Sequence, residues 1–156
     1  MFHPIAVAVL MAAAAGAAGG SFESEMLAAH NLVREQVPVP PLVWSARLAE
    51  AAQKWADSLV ERGRFEHQAH SPYGENLYEA RGRGGVSPME VVAAWAAEAA
   101  GYDYRTNTCS GKCGHYTQLV WRNTREVGCA AARREARQVV VCEYNPRGNW
   151  VGERPW

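Results

Sequence analysis

The stretch Gly114-His115-Tyr116-Thr117-Gln118-Leu119-Val120-Trp121 carries His115, one of three polar groups that stand out along the chain. The other two lie upstream, His67 in Phe65-Glu66-His67 and Glu75 in Tyr73-Gly74-Glu75-Asn76-Leu77. Taken singly, each has an ordinary reading. A histidine beside an aromatic is commonly a satisfied core or rim residue. A glutamate between glycine and asparagine commonly ties down its own loop. What these groups mean depends on the framework around them.

Upstream of this stretch the pattern is helical. Residues from about Ser24 to Val37 can form a first helix, stopped by Pro38, Pro40 and Pro41. Ser45 can cap a second, in which Leu48, Ala52, Trp55 and Leu59 recur at three- and four-residue spacing, with Gly63 as its stop. The segment from Arg64 to Gly85 shows no helical period and reads as a long loop of the functional kind. A third helix opens at Ser87-Pro88-Met89-Glu90, which combines an N-cap, a proline at the first position and a capping-box glutamate. Its stripe is Val91, Trp95, Glu98 and Tyr102. A carboxylate therefore falls on the core-facing side and needs a partner, because an unpaired buried charge costs several kcal/mol.

Downstream the pattern is strand-like. Val127 to Ala131 and Gln138 to Tyr144 are short apolar runs separated by Arg133-Arg134-Glu135. A hairpin centred between Glu135 and Ala136 sets Cys129 opposite Cys142, close enough for a disulfide. That leaves Cys109 to pair with Cys113 across a tight loop. A four-cysteine zinc site is the rival reading, since Cys109-x-x-x-Cys113 has zinc-finger spacing, but Cys129 and Cys142 do not form a second close pair.

Together these segments resemble the CAP superfamily, the cysteine-rich secretory, antigen 5 and pathogenesis-related class-one proteins. The resemblance rests on His30-Asn31-x-x-Arg34, Pro41-Leu42-x-Trp44, Phe65-x-His67, Gly74-Glu75-Asn76-Leu77, Trp95-x-x-Glu98, the Gly114–Trp121 stretch and Cys142-Glu143-Tyr144-Asn145-Pro146-x-Gly148-Asn149. It covers nearly the whole chain after the leader and implies an α+β fold, a three-layer α-β-α sandwich, over residues 24–156. It also implies a cleft lined by two histidines and two glutamates, carried over here as His67, Glu75, Glu98 and His115. His70-Ser71 also matches the family's His-Ser step, and His67 is preferred for its distance from Trp44 and for the preceding Phe65. Many plant relatives carry six cysteines. The missing pair would join the end of the second helix to the hairpin, where Arg64 and Arg133 stand.

Residues 1–20 lack Asp, Glu, Lys and Arg. The apolar run Ile5–Ala15 is too short for a bilayer, which needs about 20 residues, and reads as a signal peptide that is cleaved to leave a mature start between Ala18 and Phe22. An even cysteine count agrees with export and disulfides. Formal net charge is zero, so nothing points to nucleic acid or an anionic membrane, and the basic clusters Arg62/Arg64, Arg81/Arg83 and Arg133/Arg134/Arg137 read as solvated surface.

Two imidazoles facing two carboxylates suit a divalent metal, with Zn or Mg as the ions the resemblance implies, and equally suit a self-satisfied hydrogen-bond network. The chain lacks His-Glu-x-x-His, Gly-x-Ser-x-Gly and a phosphate-binding glycine loop. The expected function is a secreted, monomeric binding module for a sterol, another lipid, or a surface or cell-wall glycan. A metal-dependent, protease-like hydrolase acting in the same cleft is the alternative, and the sequence leans away from an enzyme.

Overall fold

The structure, a computed structural model, describes residues 20–156, so the leader expected at residues 1–20 lies outside the described residues apart from Gly20. In chain order the elements are α1 (Phe22–Arg34), β1 (Val43–Trp44), α2 (Ala46–Arg62), β2 (Gly74–Arg81), α3 (Pro88–Ala96), a 3-10 segment (Ala97–Gly101), β3 (Tyr102–Asp103), β4 (Thr108–Cys109), α4 (Gly114–Leu119), β5 (Glu126–Arg134) and β6 (Arg137–Asn145). The main sheet runs β1-β5-β6-β2, antiparallel except for the short parallel pairing of β1 with β5, and β3 pairs with β4 apart from it.

The β5–β6 hairpin is the centre of the molecule. It turns at Glu135 and Ala136 and sets Cys129 opposite Cys142, which are joined in a disulfide; Cys109 is joined to Cys113. Alternation along the two strands feeds two separate cores. Val127, Cys129, Val140, Cys142 and Tyr144 face α1 and α3, where Met26, Ala29, Val91 and Trp95 complete the packing. Ala130, Ala132, Val139 and Val141 face α2, against Ala52, Ala56 and Leu59. Helices on both faces of one sheet make the three-layer α-β-α sandwich. The α2-facing residues of β5 are small for a reason. A Cβ on Gly128 would sit 2.2 Å from the backbone nitrogen of Ala49, so only glycine lets α2 cross the strand there.

The helix ends match their sequence signals. Ser45 caps α2, Gly63 ends it in the left-handed conformation at φ 65°, and Ser87 with Glu90 forms a capping box on α3. Helix α1 differs from its expected range, beginning at Phe22 and giving way to turns after Arg34. The larger correction concerns Arg64–Gly85, read as loop. Gly74–Arg81 is an eight-residue edge strand paired along its whole length with β6. Its buried positions include the polar Asn76 beside Leu77, so no apolar alternation marks it in the sequence.

Arginines of the hairpin bridge to the end of α2. Arg137 donates to the carbonyls of Leu59 (2.9 Å) and Arg64 (2.5 Å) and to the Glu79 carboxylate, while Arg134 donates to Glu61 O at 3.0 Å. Carbonyls at a helix C-terminus lack intrahelical donors, and cations there are favoured by the helix dipole. Two arginines of the hairpin thus fasten the end of α2.

Candidate functional site

The cleft opens at the end of the sandwich where β2 begins. His67, Glu75, Asn76, Glu98, His115 and Asn149 line it together with the Cys109–Cys113 loop, around a volume of about 380 Å³. The four expected site residues therefore share one cavity. His70 lines a neighbouring one with Gln68, Ser71 and Tyr73.

Glu98 reaches the cleft because α3 tightens into the 3-10 segment after Ala96. Its carboxylate accepts from the backbone N–H of His115 (3.0 Å) and from the His115 ring at Nδ1 (2.8 Å). One carboxylate thus satisfies an orphan amide in the first turn of α4 and orients the imidazole. The partner that the helical stripe demanded for Glu98 is His115. Trp95, one turn before Glu98, stacks on the His115 ring with centroids 5.9 Å apart.

Behind this pair lies a closed polar chain. Asn76 Nδ2 donates to His115 O (3.1 Å) and to the Tyr144 hydroxyl (3.2 Å). His30 Nε2 meets the same hydroxyl at 2.8 Å and His30 Nδ1 donates to Met26 O at 2.7 Å. Complete burial pushes His30 down to about 4, so it stays neutral. Two neighbouring motif residues act as braces. Asn31 bonds both the N–H and the C=O of Leu42, and buried Arg34 donates to the carbonyls of Pro40, Leu119, Trp121 and Thr124. Gly74 belongs to the same scaffolding, because a Cβ there would lie 2.1 Å from Gln118 Oε1, which accepts from Gly148 N–H.

The second pair is His67 with Glu75, Nδ1 to Oε1 at 2.5 Å. Glu75 also accepts from the Gln68 N–H at 3.2 Å. The glutamate is anchored on β2 with its side chain 6% exposed, whereas the His67 side chain is 66% exposed. The hydrogen bond that His67 donates to Glu75, and the Glu75 charge, raise the His67 pKa above its ordinary value.

Sequence reasoning missed Glu143. It sits opposite Glu75 in the β2–β6 register and is fully buried. Burial, then the nearby Glu75 charge and a hydrogen bond to the Glu75 carboxylate, push its pKa up to about 8, so it is protonated at neutral pH. The signal was present in the alternation of β6, where Val139, Val141 and position 143 point to the α2 side.

Each cleft imidazole spends Nδ1 on a glutamate, and neither Nε2 has a hydrogen-bond partner among the described residues. The four groups do not form a closed cage. Among the described residues, only His30, Cys129 and Cys142 bring three ligand atoms within 4.8 Å of one another, and those cysteines are spent in their disulfide. The cleft therefore offers two anchored imidazole nitrogens and leaves the rest of any coordination sphere to water or ligand.

A sequence model of the CAP, or cysteine-rich secretory protein, family matches residues 27–144. The chain is 43% identical over 133 residues to pathogenesis-related protein 1 of Arabidopsis thaliana, covering 85% of this chain and 81% of that protein. It is 45% identical over 135 residues to pathogenesis-related leaf protein 4 of Solanum lycopersicum, covering 85% and 82%. Among solved structures it resembles the venom allergen-like protein 4 of Schistosoma mansoni (TM-score 0.73, 22% identity, 88% of this chain and 94% of that one). It also resembles NaASP2 solved with Zn2+ (TM-score 0.72, 21% identity, 88% and 86%). No described helix is long and apolar enough to cross a membrane.

Proposed function

Because the chain belongs to the cysteine-rich secretory protein (CAP) family, we propose that it is a secreted binding module whose cleft holds zinc through His67 and His115 and captures a ligand there. One observation carries the reading: both imidazoles are fixed at Nδ1 by glutamates within one cavity, with both Nε2 atoms unengaged. A carboxylate on the far nitrogen fixes the tautomer and raises the basicity of a zinc-binding histidine. Zinc suits this donor set better than magnesium, which takes oxygen ligands and keeps several waters, because both cleft carboxylates are already committed to histidines. Bound zinc supplies a Lewis-acid centre with positions open to an oxygen of the captured molecule. The NaASP2 structure with Zn2+ lends the ion a precedent on this fold.

His, Glu, Asn and Lys side chains line the cleft together with glycines and one disulfide. Several convergent hydrogen-bonding groups around a metal suit a hydroxyl-rich surface or cell-wall glycan. Secretion is supported by the signal-like leader and the paired cysteines. Thermal unfolding of the mature protein with and without zinc tests the metal reading. At a hundredfold excess over its dissociation constant zinc stabilises by about 2.7 kcal/mol, and His115→Ala abolishes the effect. Absence of any zinc-dependent shift in the wild type at pH 7 overturns the metal reading.

A further inference from the structure

The three basic clusters that read as solvated surface in the sequence converge in the fold. Arg81 is the register partner of Arg137, which is in turn the partner of Arg134 across the hairpin. Arg62, Arg81, Arg134 and Arg137 line one recess of about 460 Å³ at the C-terminus of α2. Arg64 adjoins it through its carbonyl, which accepts from Arg137. Arg133 donates to the carbonyls of Gly82 and Gly84, on either side of Arg83.

Four arginines and two glutamates, Glu61 and Glu135, line the recess, on a chain whose formal net charge is zero. Glu66 is shared by Arg62 and Arg64, and Glu79 by Arg81 and Arg137. Of the lining arginines, Arg134 has no carboxylate within ion-pair distance among the described residues. The Glu61 carbonyl that Arg134 reaches fixes its geometry without neutralising its charge, and each guanidinium has five N–H donors to distribute. The result is a preorganised, net-positive recess rather than scattered surface charge.

We propose that this recess is a second binding site, taking an acidic polysaccharide, a sugar chain that bears carboxylate or sulfate groups. Guanidinium forks match both anions in geometry. The glutamates at the rim argue for sugar over other polyanions, because they can accept hydrogen bonds from hydroxyls. A DNA backbone offers no such donors, and a flat layer of anionic headgroups would press its charge against them. The site is separate from the cleft. Glu75 and Arg81 stand six residues apart on β2, about 20 Å at the rise of an extended strand. Binding here needs no metal and stands independently of the zinc reading.

The test is retention of the disulfide-intact protein on immobilised polygalacturonate and on heparin, as a function of NaCl and with EDTA present throughout. Wild type is retained at low salt on at least one of the two and released as salt rises; the matrix that holds it more strongly identifies carboxylate or sulfate as the group read. Arg134→Glu and Arg81→Glu each weaken binding about tenfold, whereas Lys54→Glu, the same charge change on the exposed face of α2, leaves it within twofold. The Arg81 side chain is 72% exposed and bonds the Glu79 side chain, so its variant reports binding without a folding defect. Equal loss in Lys54→Glu, elution of wild type with a neutral dextran control, or binding confined to phosphatidylserine vesicles or duplex DNA overturns the proposal.

Discussion

His115 and His67 each give Nδ1 to a glutamate, at 2.8 Å and 2.5 Å, yet the two pairs are held by different means. The His115 pair sits between helical elements. Glu98 grips both the backbone and the ring of its histidine, Trp95 stacks on that ring, and the Asn76–Tyr144–His30 chain behind it is satisfied at every atom named. The His67 pair has a fixed glutamate and a largely exposed histidine, and behind it stands Glu143, a buried carboxyl whose proton faces Glu75. One pair is a packed and complete network. The other is built on an electrostatic debt, a carboxyl held neutral by burial beside a charged neighbour. The His115 ring is held at Nδ1 and by stacking, whereas the His67 ring is held at Nδ1 alone.

The largest expected effect tests the claim that the first network is complete only while His30 is neutral. A base whose folded pKa is depressed binds fewer protons in the native than in the unfolded state between the two values. Stability is therefore present above about pH 6.5 and lost as pH falls toward 4. At 1.36 kcal/mol per pKa unit the loss is about 3 kcal/mol. Urea unfolding from pH 7 to pH 4 should show this acid limb, and His30→Gln should flatten it. An unchanged limb in the variant would remove His30 from the network's energetics.

The next effect sets the two glutamates against each other. Glu98→Ala strands an amide and an imidazole together, and should cost about 2 kcal/mol. Glu75→Ala strands an imidazole that water can reach and removes the charge facing Glu143, so its cost should be well under half as large. Chemical denaturation of both variants at pH 7 makes the comparison. Equal losses would break the asymmetry.

Glu143→Gln sharpens it from the other side. An acid with a raised folded pKa holds its proton in the native state while the unfolded chain releases it, so wild-type stability falls as pH rises from about 4.5 to about 8. The amide removes that slope. It should stabilise the protein near pH 8 and leave it unchanged near pH 4.5. A gain of equal size at both pH values would mean that packing, not ionisation, sets the difference.

The same asymmetry explains what could be read from the sequence. Three helices, the hairpin and its cysteine register were legible because apolar periods of 3.6 and 2 specify them, and caps at Ser45, Gly63 and Ser87 mark their ends. Glu98 was legible as a carboxylate interrupting an apolar stripe. Strand β2 was not, because an edge strand that carries Glu75, Asn76 and Glu79 looks like loop until β6 pairs with it. Glu143 was hidden inside a motif read for its cysteine and tyrosine. The basic recess was hidden too, because its arginines come from three segments that only the fold assembles.

The smallest expected effect decides which histidine belongs to the second pair. His70 lies three residues from His67 in a coil segment, but it lines the adjoining cavity and its backbone is left-handed at φ 60°. Alanine there would mix loss of the ring with strain at a positive φ, whereas asparagine tolerates that conformation well. His70→Asn therefore isolates the imidazole. Calorimetric titration with zinc should give an affinity within twofold of wild type, and the melting temperature should move by less than about 1 °C, the scale of a surface substitution. In the same titration His67→Ala should lose at least tenfold, since one of two imidazole anchors is gone. A variant series in which His70→Asn loses binding and His67→Ala keeps it would transfer the second pair to His70. It would also leave the short bond between His67 and Glu75 as a brace for the coil alone.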